Sequence, residues 1–127
     1  MAMNGTILLV EDSHSTRLLL GFQLRKAGYD VLEAENGALA LELCARGSRP
    51  DLIISDVMMP EMDGLEFCRQ VRLQNGMERT PFIFLTTRLQ DRHRTEAIEA
   101  GGTDYVLKPV NAPELLEKIR GYLAVVS

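Results

Sequence analysis

Polar side chains stand directly after four short apolar runs: Glu11-Asp12 after TILLV, Asp56 after DLIIS, Thr86 after FIFL, and Lys108 after YVL. If those runs are neighbouring strands, one sheet edge gathers three carboxylates, a hydroxyl and an amine. Carboxylates this close repel one another and raise each other's pKa unless a cation joins them. Oxygen-only ligands with open positions suit Mg2+, or Mn2+ in its place, completed by waters and a phosphate. Lys108 adds a point positive charge for a phosphate oxygen, and the Thr86 hydroxyl can donate to another. In such a setting Asp56 can act as a nucleophile toward phosphorus, forming an aspartyl-phosphate. Any one of these acids alone would read as a helix cap or a solvated turn. The joint pattern carries the chemistry, because each group falls at the same end of a different run.

Periodicity supplies the scaffold for these groups. Apolar runs cover Thr6–Val10, Tyr29–Ala34, Asp51–Ser55, Pro81–Leu85 and Thr103–Leu107. DLIIS and FIFL lack polar alternation, as strands buried on both faces do. Between the runs lie helical stretches. The first has Ser13 as N-cap, Thr16, Leu20, Leu24 and Ala27 as its stripe, and Gly28 as its stop. The second runs from about Gly37 to Arg46, with Leu39, Leu41, Leu43 and Cys44 as its apolar side. Asp63 caps a third, which carries Leu65, Cys68 and Val71 on one face. A fourth spans Asp91 to Ala100. In the last, Pro113 suits the first turn and Leu115, Leu116, Ile119 and Leu123 form the stripe. Strand and helix alternate five times, which predicts an α/β fold: a doubly wound, flavodoxin-like, five-stranded parallel sheet in the order 2-1-3-4-5 with helices on both faces. Ligands of such sheets bind beyond the carboxyl ends of the strands. The second strand, with Glu33 and Glu35, belongs at the sheet edge, away from the site.

At 127 residues the chain fits one domain, residues 1–127 with about 5–125 structured. A net charge of -4 and a pI near 5.2 argue against a nucleic-acid surface. TILLV is too short for a signal peptide or membrane span, so the expectation is a cytoplasmic protein. Cys44 and Cys68 lack metal-ligand spacing and read as small apolar helix residues. Neither GxxxxGKS/T nor GxGxxG occurs, which removes the common nucleotide-binding loops. A haloacid-dehalogenase-like phosphatase would want a second acid two residues after its nucleophile, where this chain has Met58.

VEDS at 10–13, DVMMPEMDG at 56–64, LTT at 85–87 and DYVLKP at 104–109 closely resemble the response-regulator receiver domains of two-component signalling. The match spans essentially the whole chain in order. The resemblance implies that Asp56 is the phosphoacceptor, charged by a phosphohistidine on a sensor histidine kinase or histidine phosphotransfer protein. It implies Asp12 as direct metal ligand, Glu11 acting through water, and the Met58 backbone carbonyl as a further ligand beside Asp56. Lys108 would contact the phosphoryl group, and its bond to Pro109 is a cis candidate. Thr86 and Tyr105 would form the switch pair.

Four departures or variable positions stand out against that family. Glu11 replaces the usual aspartate, and Thr87 takes a place where alanine or glycine is common. Met58 and Arg88, with Thr87, occupy positions that tune phosphate lifetime. The face of the fourth helix, last strand and last helix is the family's output surface, with Arg88, Arg92 and Tyr105 as candidates. It would support a monomer or a weak dimer. His14 and His93 read as exposed helix residues. Leu18, Leu19 and Phe22 widen the first helix's stripe and are expected in the core, although relatives often dock their phosphodonor on that helix. The domain would act only on itself, not as a turnover enzyme. The rival is a pseudo-receiver serving as a phosphorylation-independent binding module, and the complete set of acids, threonine and lysine stands against it.

Overall fold

The computed structural model describes residues 5–59, 62–74, 76–87 and 91–124, with the backbone alone for residues 91–94. Five strands and five helices alternate along it: β1 (Thr6–Val10), α1 (His14–Lys26), β2 (Asp30–Ala34), α2 (Gly37–Ala45), β3 (Leu52–Asp56), α3 (Gly64–Arg72), β4 (Phe82–Thr86), α4 (Asp91–Glu99), β5 (Asp104–Leu107) and α5 (Ala112–Ala124). All strand pairs are parallel, in the order β2-β1-β3-β4-β5. Every predicted strand is present within a residue at either end.

Alternate side chains of the strands feed two cores. Leu8, Val10, Ile53, Phe82 and Phe84 face α2, α3 and α4, meeting Ala40, Cys44, Phe67, Cys68, Val71 and Ala97. Ile7, Leu9, Ile54, Ile83 and Leu85 face α1 and α5, meeting Leu20, Leu24, Leu115 and Ile119. Burying each such large side chain stabilises by roughly 1.5–3 kcal/mol, so the sheet is a rigid platform for whatever its edge carries.

Helix starts are set locally. Side-chain oxygens of Ser13, Asn36, Asp63 and Asn111 accept the backbone N–H three residues on, from Thr16, Leu39, Glu66 and Glu114. Gly28, Gly47 and Gly101, at φ near +100°, turn the chain out of α1, α2 and α4.

Two expectations need correction. Leu18, Leu19 and Phe22 are not core residues; they are 55%, 58% and 62% exposed, because Leu20 and Leu24 already fill the face of α1 toward the sheet. Leu39 is also exposed, since α2 approaches the sheet through Ala40 and Cys44, small enough for close packing. In α3, Phe67 joins Cys68 and Val71 in the core, and Leu65 only packs against it. Cys44 and Cys68 are free and fully buried, and burial pushes both thiols up, Cys68 to about 11. No helix among the described residues is long and apolar enough to cross a membrane.

Candidate functional site

The register of the sheet decides which polar groups meet. Val10 lies beside Ser55, so Glu11 and Asp56 leave their strands side by side. Asp56 lies beside Leu85, and Thr86 beside Leu107, which brings Thr86 and then Lys108 to the same edge. The Lys108 N–H donates to Thr86 O at 2.8 Å, and the Lys108–Pro109 peptide bond is cis. The start of α3 closes in from the other side. Gly64 N–H donates to Val57 O at 2.8 Å, and a Cβ on Gly64 would overlap the Asp56 carbonyl oxygen. Only glycine allows this approach. Buried Ser55 adds a further tie, its hydroxyl donating to Asp56 O at 2.9 Å.

Two of the three acids are out of solvent: Glu11 is fully buried and Asp56 is 3% exposed, while Asp12 is exposed. One oxygen from each lies within 4.8 Å of the others. Lys108 Nζ stands 3.0 Å from Glu11 Oε1 and 2.5 Å from Asp56 Oδ1. Glu11 Oε2 accepts the Ser13 N–H at 3.0 Å. Despite the lysine contact, no donor meets the buried Asp56 Oδ1 with hydrogen-bond geometry among the described residues.

The two buried carboxylates are driven apart in acidity. Burial pushes Asp56 up to about 8, helped by its hydrogen bond with Glu11 and by that acid's charge, against the pull of Lys108. Burial also pushes Glu11 up, but hydrogen bonds with Asp56, Ser13 N–H and Lys108, with the lysine's charge, outweigh it and hold Glu11 below the usual carboxylate range. Burial and the neighbouring acid thus favour the protonated form of Asp56, while hydrogen bonds and Lys108 favour the ionised form of Glu11. Desolvation opposes the charge of Lys108, yet bonds and charges of Asp56 and Glu11 raise its pKa and keep it cationic. Three carboxylates with oxygens within 4.8 Å of one another and a single cationic side chain among them fit a hard divalent cation.

Asp56, Val57, Met58, Leu85, Thr86, Thr87 and Lys108 line a cavity of about 40 Å³ over this cluster, room for a few water-sized groups. Met58 is 72% exposed and Thr87 is exposed, both on its rim. Tyr105 is half-buried on β5 and lines a separate space of about 80 Å³ with Ala97, Ile98 and Asp104. Arg88 lies outside the described residues, as do the side chains of Arg92 and His93. His14 is exposed, its Nδ1 3.2 Å from an Arg17 nitrogen. Two contributors carried no sequence signal. Gly64 sits inside a motif whose length hides its steric role, and Arg17 donates to the Glu11 carbonyl at 2.7 Å from within α1.

Similarity to known proteins agrees with this geometry. The sequence model of the response regulator receiver domain matches residues 7–120. The chain is similar to the alkaline phosphatase synthesis transcriptional regulatory protein PhoP of Bacillus subtilis, 38% identical over 121 residues covering 95% of this chain and 49% of that protein. Among solved structures it is similar to the chemotaxis protein CheY4 of Vibrio cholerae, with 38% identity and a TM-score of 0.88 over 92% of this chain and 97% of that one. It is similar also to the receiver domain of sensor histidine kinase PA1611 of Pseudomonas aeruginosa, with 31% identity and a TM-score of 0.87 over 95% and 98% of the two chains. That domain holds a magnesium ion in its active-site cleft. The chain spans about half the length of the transcriptional regulators it matches.

Proposed function

Because the chain belongs to the response regulator receiver family of two-component systems, whose domains accept phosphoryl groups from histidine kinases, we propose that Asp56 is its phosphoacceptor. The observation that carries this is Asp56 Oδ1: buried, paired with the Lys108 ammonium at 2.5 Å, in a carboxylate that lines the cavity. Asp56 must be ionised to attack phosphorus, so any proton it holds passes to water first. Lys108 is the group on this chain that favours the ionised form. An Asp56 oxygen then bonds to phosphorus as the phosphorus–nitrogen bond of a donor phosphohistidine, protonated on its other ring nitrogen, breaks, and the ring keeps the bonding pair and departs as neutral imidazole.

Asp12, Asp56 and the Met58 carbonyl would hold Mg2+ or Mn2+ directly. Both oxygens of Glu11 already accept bonds, which suits an indirect role through water. When bound, the cation supplies neutralising charge for the equatorial oxygens of the phosphoryl group. Lys108 contacts one of those oxygens and Thr86, which lines the same cavity, donates to another. Thr86 moving toward the phosphoryl group and Tyr105 turning into the space beside Ala97 form the switch, and its output surface is the α4, β5 and α5 face. Met58, Thr87 and Arg88 tune how long the phosphate stays. The exposed Leu18, Leu19 and Phe22 suit a phosphodonor's docking surface. The domain modifies only itself and has no turnover substrate.

Incubation with acetyl phosphate and Mg2+, followed by intact-mass measurement, tests the acceptor. Wild type gains one phosphoryl group and Asp56→Asn gains none. No adduct on wild type, where a control receiver is phosphorylated, would refute the acceptor role and favour a binding module. Beryllofluoride at saturation shifts the NMR signals of Thr86 and Tyr105; unchanged spectra would remove the switch.

A further inference from the structure

We propose that Arg17 is a positioning residue for the cation site, holding the Glu11–Asp12 peptide in the orientation that presents the Asp12 carboxylate. This inference rests on the Mg2+-dependent reading above. The side chain of Arg17 is only 14% exposed although α1 is a surface helix. Its Nη1 donates to the Glu11 backbone oxygen at 2.7 Å, and its Nε lies 3.5 Å from Glu33 Oε1. The Glu11 carbonyl and the Asp12 N–H belong to one rigid peptide plane. Fixing the oxygen therefore fixes the direction in which the chain enters Asp12.

The rest of Glu11 is held as well: its N–H donates to Ala34 O at 3.1 Å, and its carboxylate is engaged by Ser13 and Lys108. Asp12 is different. Its carboxylate is exposed and makes no hydrogen bond or ion pair among the described residues, so its place depends on the backbone behind it. Glu33 is a firm brace for Arg17, because Arg25 Nη2 grips the same carboxylate at 2.8 Å. Gly21 leaves room for that grip; a Cβ there would come within 3.1 Å of Arg25 Nη1 and Glu33 Oε2. A planar guanidinium serves the carbonyl through Nη1 and faces the carboxylate with Nε at once, in a rigid fork that fixes the two directions relative to each other.

Calorimetric titration of the whole chain with Mg2+, alongside urea unfolding without the metal, tests the assignment. Arg17→Met is expected to weaken Mg2+ binding by about tenfold or more, the range found when partners of metal ligands are removed. Arg72→Met removes another partly buried guanidinium, one that touches Gly101, Thr80 and Met77 but neither Glu11 nor Glu33, so it keeps wild-type affinity even if it lowers stability. Wild-type affinity in a folded Arg17→Met overturns the proposal, and so does equal weakening in both variants, which would mean general loosening. If Arg17→Met does not fold, Glu33→Met decides: it leaves Arg17 in place without its brace, and unchanged Mg2+ binding overturns the assignment. A wild-type chain that binds no Mg2+ overturns the underlying reading itself, an outcome distinct from the others.

Discussion

At the amino ends of β4 and β5, the Arg72 guanidinium donates to Gly101 O at 2.6 and 3.0 Å, to Thr80 O at 2.7 Å and to Met77 O at 3.0 Å. It ties the end of α3 to the segments entering both strands. At the carboxyl ends of the same sheet, Asp56 is almost wholly out of solvent, yet the Lys108 ammonium 2.5 Å from its Oδ1 lies outside hydrogen-bond geometry, and no other donor among the described residues meets that oxygen. Arg72 has found acceptors for its charge inside the chain. Asp56 carries capacity that the chain leaves open. Unmet buried polar groups are costly, so this asymmetry locates where the fold gives up stability to keep a site ready for outside groups.

Four variants probe that contrast. Gly64→Ala brings a methyl group onto the Asp56 carbonyl and should cost ~3 kcal/mol, the upper end for overpacking. Urea unfolding measures it, and parental stability would show that α3 can retreat from β3 freely. Arg72→Met strips donors from three carbonyls and should cost about 2–3 kcal/mol. Phosphorylation of the folded fraction should persist, and its loss would mean the two sheet ends are not independent.

Asp56→Asn acts in the opposite direction. A carboxyl held protonated at a pKa of about 8 is ionised when unfolded, at a pKa near 4, so unfolding releases a proton throughout that interval. Without Mg2+, wild-type stability should therefore fall as pH rises from about 4 to about 8, then level off. Asn removes this decline and should be more stable at pH 7 by about 1 kcal/mol or more, since one pKa unit is worth about 1.4 kcal/mol. Parallel pH curves for the two proteins would contradict the raised pKa of Asp56.

The smallest effect is expected at Tyr122→Phe. Asp104 accepts from Tyr122 Oη at 2.6 Å, Lys118 Nζ at 3.2 Å and the Tyr105 N–H at 2.7 Å, tying β5 to α5. Burial works against its charge, but these bonds, led by that of Tyr122, hold its pKa below the usual carboxylate range. The stability it contributes is thus present above about pH 4 and lost as pH falls below that value. The substitution should cost about 1 kcal/mol near neutrality and less in acid. A cost that grows in acid would reverse the assignment.

Much of this is legible in the sequence for one reason: strands buried on both faces write themselves as uninterrupted apolar runs, and the first polar residue after each run marks the strand end. Hence β1 and the gathering of Glu11, Asp56, Thr86 and Lys108 can be read directly. Ser13 and Asp63 are legible as caps because their partners lie three residues away. Arg17 and Arg72 are not, because their acceptors are main-chain carbonyls, a group every residue carries. The α1 face reads wrongly because Leu18, Leu19 and Phe22 look like core to any periodicity argument; only the packed helix shows that face to be turned outward. Asn36 escapes notice beside Gly37, although its cap on α2 is as close as that of Asp63 on α3.

Cys44 and Cys68 are fully buried in the same core, beneath α2 and α3. Thiol chemistry needs the thiolate and access to it, and the folded chain offers neither. The two sulfurs are therefore silent in the native state and become reactive only when α2 or α3 lifts from the sheet. A thiol reagent added in excess becomes a clock for that opening, and the order in which the two cysteines react records which helix leaves first.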